Sequence, residues 1–221
     1  TAPPPPHTVL TMEGGIFKLA SSGQVAENPD WSMKTDKQVL NSAPNHAKLR
    51  TEELGDEGMS SEKAVEITAQ EMRSNPRLIF VMDESGTFYA TEGELHDMHH
   101  STFFAGKGIA SAGEIGLSGG VPTYLSNSSG HYMPGPLHVW QAVHALASAS
   151  ADVSKLEVVM FGVSESLQGD VFLKQFLPGV NLSGDAKKAV AQIEDFLAGN
   201  GSEAPGRVVL GNVVSEPRNR A

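Results

Sequence analysis

Apolar residues come in short bursts over the first sixty positions of this chain and in regular patterns after them. Gly15-Ile16-Phe17-Lys18-Leu19 and Val39-Leu40 interrupt stretches of Pro, Ser, Asn, Gly and charge, so residues 1–60 are expected to form a loop-rich segment packing on the core. From Ser60-Ser61 the spacing changes. Ser61 is placed to cap a helix in which Ala64, Val65, Ile67, Ala69 and Met72 supply an apolar face, and Asn75-Pro76 ends it. Leu78 to Met82 is continuously apolar, and the turn cluster Asp83-Glu84-Ser85-Gly86 joins it to Thr87-Phe88-Tyr89-Ala90, which predicts a hairpin. Gly108 to Leu117, Val121 to Ser126, Leu156 to Phe161 and Arg207 to Val214 are further strand candidates, with Gly119-Gly120 as a turn. Pro136 suits a first helical position before Leu137, Trp140, Val143, His144 and Ala147, and Asp185 to Leu197 predicts another helix stopped by Gly199. Helices and strands mix without βαβ alternation, so the expected class is α+β.

Composition narrows the function. At 221 residues the chain can bury one substantial core, and a tail after Ser215 is expected to fray. No apolar stretch approaches the length of a membrane span. The opening Thr-Ala-Pro-Pro-Pro-Pro has neither a starting methionine nor a signal-peptide pattern and is expected to be a cut boundary. With no cysteine there is no disulfide, thiolate nucleophile or cysteine-based zinc site. A net charge of −10 argues against nucleic acid and anionic lipid, and leaves a basic protein or a small ligand.

Several motifs fail on spacing. Gly106-Lys107-Gly108 lacks the pattern of a phosphate loop, and Gly162-Val163-Ser164-Glu165-Ser166 lacks the last glycine of a nucleophile elbow. His96, His99 and His100 have metal-ligand spacing for a helix, but their neighbours do not look helical, so no metal is expected there. Asn127-Ser128-Ser129 is a formal glycosylation sequon. What remains is a dense polar constellation: His99-His100-Ser101-Thr102-Phe103-Phe104-Ala105-Gly106, Ala112-Gly113-Glu114, and Ser129-Gly130-His131-Tyr132. Burying so many polar groups is costly unless each finds a partner, so the constellation predicts a ligand site, with a satisfied structural network as the alternative.

Phe80 to Ala90, His99 to Gly106, Ala112 to Ile115 and Ser126 to Pro134 together resemble a domain shared by bacterial effectors and toxins, some fungal proteins and the plant IQ-motif calmodulin-binding proteins. Within that group the block resembles the CteC-type family of bacterial effector ADP-ribosyltransferases, over about a quarter of the chain. That resemblance implies an ADP-ribosyltransferase-like mixed sheet with flanking helices, a single catalytic domain over residues 61–215, and a secreted effector acting in the host cytosol. It also implies NAD as cofactor and a host protein as acceptor, ubiquitin through a threonine. Glu114, His100 and His131 would be catalytic, and His99, Ser101, Thr102, Phe103, Ser129, Tyr132 and Arg77 would bind NAD. The pattern departs from arginine-directed transferases because no Glu-x-Glu or Gln-x-Glu follows Ser101-Thr102-Phe103. Glu157 and Glu165 are therefore alternative carboxylates, and Asp83, His99 or His131 alternative bases. Two other readings stand beside it: a noncatalytic protein-binding domain, and an NAD glycohydrolase. No basic amphipathic helix of the kind calmodulin grips is visible.

Overall fold

The computed structural model describes residues 8–42, 44–91, 100–160, 163, 165–175, 207 and 209–211. The predicted helix over 185–197 and the histidines at 96 and 99 lie outside them. Among the described residues the framework is a single sheet of eight strands. They are β1 (Thr8–Glu13), β2 (Ile16–Leu19), β3 (Leu78–Met82), β4 (Phe88–Thr91), β5 (Ser111–Ser118), β6 (Val121–Ser126), β7 (Glu157–Val159) and β8 (Leu167–Gln168). Their order is β2-β1-β4-β3-β5-β6-β7-β8, and every pairing is antiparallel except β6 with β7. With the α-helices of the described residues, α1 (Asp36–Ser42), α2 (Pro44–Asp56), α3 (Ser61–Ser74), α4 (Pro136–Ser148) and α5 (Gly169–Gln175), the class is α+β.

The central strands form where the apolar runs require them. All five residues of β3 are buried, as expected of a strand covered on both faces. It pairs with β4 through Phe80↔Ala90 and with β5 through Phe80↔Gly113. The Asp83 carboxylate builds the intervening turn, accepting from Ser85 Oγ at 2.6 Å, Thr87 N at 2.9 Å and the Tyr89 hydroxyl at 3.0 Å. Gly119 and Gly120 both take positive φ, 56° and 75°, in the β5–β6 turn. The sheet curls until β2 reaches that turn, with Phe17 N donating to Gly120 O at 2.8 Å. The Asn28 side chain bonds both backbone groups of Leu117, at 2.6 and 2.7 Å, and so acts as a short piece of strand beside the irregular β5–β6 register.

The two faces of the sheet are covered differently. On one, Phe80, Met82, Ile115, Leu125 and Val158 join Val139, Trp140, Val143 and Leu146 of α4 and Phe172 of α5 in the main core. On the other, Val81 and Ala112 pack with Phe103, Ile109 and Tyr132 in a smaller cluster, and α2 and α3 lie over the neighbouring stretch.

The structure corrects three sequence-based expectations. The first sixty residues hold two strands and two helices among those described: β1 and β2 pair with each other, and the hairpin joins the sheet through the distant β4 and the Gly119-Gly120 turn. Ser60, not Ser61, caps α3: its backbone is extended and its Oγ accepts from Lys63 N at 3.3 Å, which leaves Ser61 as the first helical residue. Strand β5 begins at Ser111 and not Gly108, because Ile109 is engaged in an isolated bridge to Leu210, the described remnant of the strand expected over 207–214.

Candidate functional site

Arg77 directly precedes β3, and Glu114 projects from β5 opposite Ile79. That register sets the two side chains diagonally across adjacent strands, and Arg77 Nη1 lies 3.5 Å from Glu114 Oε2. The guanidinium also stacks on Tyr124 of β6, 3.5 Å above the ring centroid. Glu114 is only 5% exposed. Burial pushes its carboxyl above the usual carboxylate range, against the opposing pull of Arg77 and of the Ser128 hydroxyl. The same burial pushes the Tyr124 hydroxyl up to about 12.

Helices α2 and α3 close this part of the sheet into a cleft. His46 and Arg50 of α2 stand one turn apart on one side of the helix. Desolvation, then the charge of Arg77, lowers His46 to about 4, so it is neutral at physiological pH. Arg50 makes a two-pronged bond to Glu71 of α3, from Nε at 2.8 Å and Nη2 at 2.9 Å, which holds the Glu71 carboxyl below its ordinary range. One cavity, of about 260 Å³, is lined by Trp31, His46, Met72, Arg77 and Glu114 among others. A second, of about 400 Å³, shares His46 and Arg50 and continues along Tyr124, Ser126 and Ser128. Trp31 Nε1, Arg77 Nε and Glu114 Oε2 are buried with no hydrogen-bond partner.

The structure therefore unites only part of the predicted constellation. Arg77 and Glu114 meet in the cleft, with Ser128 of the quoted 126–134 block beside them. His100 is buried in a short 3-10 turn, where its Nε2–H donates to Gly113 O at 2.9 Å. Ser101 and Thr102 belong to the same turn, which is closed by Gly106 N donating to Ser101 O at 2.7 Å. Phe103 and Tyr132 sit in the smaller apolar cluster, and the Tyr132 hydroxyl donates to Lys107 O at 2.8 Å. Ser129 Oγ accepts from Tyr132 N at 3.4 Å within a tight turn that carries the half-buried His131. Neither cavity is lined by His100, His131, Phe103 or Tyr132. His99 lies outside the described residues. The alternative carboxylates Glu157 and Glu165 are exposed, and Asp83 is engaged by its own turn.

Trp31, His46, Arg50 and Tyr124 were not among the predicted site residues. A helical spacing of His46, Arg50 and Glu53 was the one signal in the sequence that could have marked them.

Residues 57–138 match the family model of the IQ motif-containing protein middle domain. No curated protein and no solved structure matches the chain. The matched stretch covers less than half of the chain and runs from just before α3 to the start of α4, so it contains Arg77, Glu114 and Tyr124. This finding overturns the CteC-type assignment and with it the expected ADP-ribosyltransferase activity, the toxin and effector character and the reading of residues 61–215 as catalytic. The error had a physical source. Histidines, serines and an acid close in sequence look catalytic, whereas here His100, Ser129 and Tyr132 serve backbone groups. A protein partner is consistent with the match, and ubiquitin has no support from it. No described helix is long and apolar enough to cross a membrane, and the described residues hold no cluster of His, Asp or Glu able to bind a metal ion.

Proposed function

We propose that this chain is a noncatalytic binding domain for a protein partner. The match of residues 57–138 to the IQ motif-containing protein middle domain carries the reading. Two further features support it. The cleft between α2, α3 and the sheet offers charged, aromatic and apolar groups along two adjoining cavities. The net charge of −10 favours a partner with a basic contact segment, whose encounter would be accelerated electrostatically.

Helices α2 and α3 alternate acidic and basic residues, so neither offers the basic amphipathic surface that calmodulin wraps. The expected mode is a segment of the partner lying against this domain. Affinity capture with the purified chain, followed by calorimetry with each captured protein in pure form, tests the proposal, with calmodulin as the first purified candidate because of the IQ-motif resemblance. The expected result is one-to-one binding with Kd of about 10 μM or tighter, with an association rate that falls as salt rises. Failure of every captured protein to rebind, or release of nicotinamide when the chain is incubated with NAD, refutes it.

A further inference from the structure

The cavity beside α3 holds an unbalanced set of polar groups. Trp31 Nε1 and Arg77 Nε are N–H donors that cannot accept, and Glu114 Oε2 belongs to a carboxyl; all three are buried without hydrogen-bond partners. Each unmet group costs about 1–3 kcal/mol, and folded proteins retain few of them. Here three of the four such side-chain atoms among the described residues belong to residues lining one cavity. They come from the segment before α1, the residue before β3, and β5, so no single local irregularity explains them.

Charge decides what would satisfy them. The charged and titratable groups around Glu114 are Arg77, Tyr124, His46, Arg50 and Glu71. Arg50 and Glu71 compensate each other at the more exposed end, and His46 is neutral above about pH 5. Glu114 faces Arg77 through Nη1 at 3.5 Å, and burial raises its carboxyl against that pull, so the groups left without an acceptor on this side are the N–H of Arg77 Nε and of Trp31 Nε1. A single cation with two outstanding N–H donors calls for a planar monoanion bearing two oxygens. Met72 and the Trp31 ring supply apolar wall.

We propose that this cavity binds a small monocarboxylic acid, with its carboxylate accepting from Arg77 Nε and Trp31 Nε1 and its apolar body lying along Trp31 and Met72. Glu114 then stays protonated and donates its hydroxyl to the ligand, because two ionised carboxylates side by side would repel. Binding takes up a proton wherever Glu114 is ionised in the free protein, so affinity falls as pH rises. The proposal does not depend on the protein-partner reading.

Titration of the purified chain with benzoate and with hexanoate, beside benzamide and hexanamide, tests it by calorimetry and thermal shift from about pH 5.5 to 8. One or both acids bind with Kd of about 1 mM or tighter, and the matching amide binds about tenfold more weakly or worse. Trp31→Phe, which keeps the ring and removes the N–H, weakens the acid about three- to tenfold, and Arg77→Met abolishes binding. Glu114→Gln retains binding and flattens its pH dependence. The proposal falls if neither acid binds, if an amide equals its acid, if Trp31→Phe binds like the unaltered chain, or if Glu114→Gln loses the ligand.

Discussion

The two faces of the sheet solve the same problem of burial in opposite ways. Under α4 the polar side chains of the helix have partners: Trp140 Nε1 donates to Leu173 O at 3.1 Å, Gln141 Nε2 to Ala110 O at 2.9 Å, and His138 Nδ1–H to the same carbonyl at 3.0 Å, which leaves the Ser111 hydroxyl, opposite Met82, as the buried side-chain atom without a partner on this side among the described residues. Across the sheet, under α2 and α3, Trp31, Arg77 and Glu114 are buried with atoms left unmatched around a cavity. The first face is closed by a helix packed on the main core, and the second keeps a cavity lined by polar groups. Adjacent on β6, Leu125 and Tyr124 show the divide is set by strand alternation: one enters the main core, while the other lies under the Arg77 guanidinium.

The largest effect is expected where packing is densest. Leu125 is fully buried in the main core, and Leu125→Ala should cost about 2–5 kcal/mol in urea unfolding through lost burial and the void left behind. Met72→Ala, on the cavity side, should cost visibly less, since its neighbourhood is already open. Equal losses would mean that the two faces do not differ in packing.

A second contrast lies in pH. His46 ordinarily titrates at 6.5 and is held at about 4, so the unfolded chain takes up its proton first. Its contribution is present above pH 6.5 and is lost as pH falls through about 4. Glu114 works in the other direction: its raised carboxyl contributes fully below the ordinary value of 4.5, and that contribution is lost as pH rises through the folded value. The sharp measurement is the stability of the unaltered chain minus that of His46→Gln, followed from about pH 7.5 to 4, since other groups cancel in the difference. It should decline by on the order of 3 kcal/mol on acidification. A flat difference would place His46 in water and open the cleft.

Much of the scaffold could be read along the chain, because its signals are local. Five consecutive apolar residues gave β3 its exact limits, the Gly119-Gly120 pair bounded β6, and Pro136 with a helical repeat gave the start of α4. The cleft was less accessible. Glu114 stands out by residue type and Arg77 only through the family resemblance, and their meeting depends on Ile79↔Glu114, a register between residues 35 positions apart in sequence. Nothing in the spacing of either residue announces it. Trp31, His46 and Arg50 lie in a stretch too polar to predict as structured; His46 and Arg50 reach the site because α2 packs on α3, and Trp31 because the segment before α1 packs with Met72 of α3. The histidine-rich cluster shows the converse. Proximity in sequence is not proximity in a cleft: His100 spends its ring on the Gly113 carbonyl and Tyr132 its hydroxyl on Lys107 O.

The smallest expected effect is also the cleanest test of the contrast between faces, because the chain has two tryptophans and buries one on each side. Trp140 is 2% exposed and Trp31 3%, so replacing either with Phe removes the same atoms from a comparably dry place. Trp140→Phe also strands the Leu173 carbonyl and should cost about 1–3 kcal/mol. Trp31→Phe strands nothing and relieves an N–H that had no partner, so its cost should stay below about 1 kcal/mol. Because the lost ring volume is common to both, the difference between the two unfolding free energies reports the hydrogen bond. A Trp31→Phe loss as large as that of Trp140→Phe would show that the indole N–H is already satisfied, and the cleft would then be a second closed core.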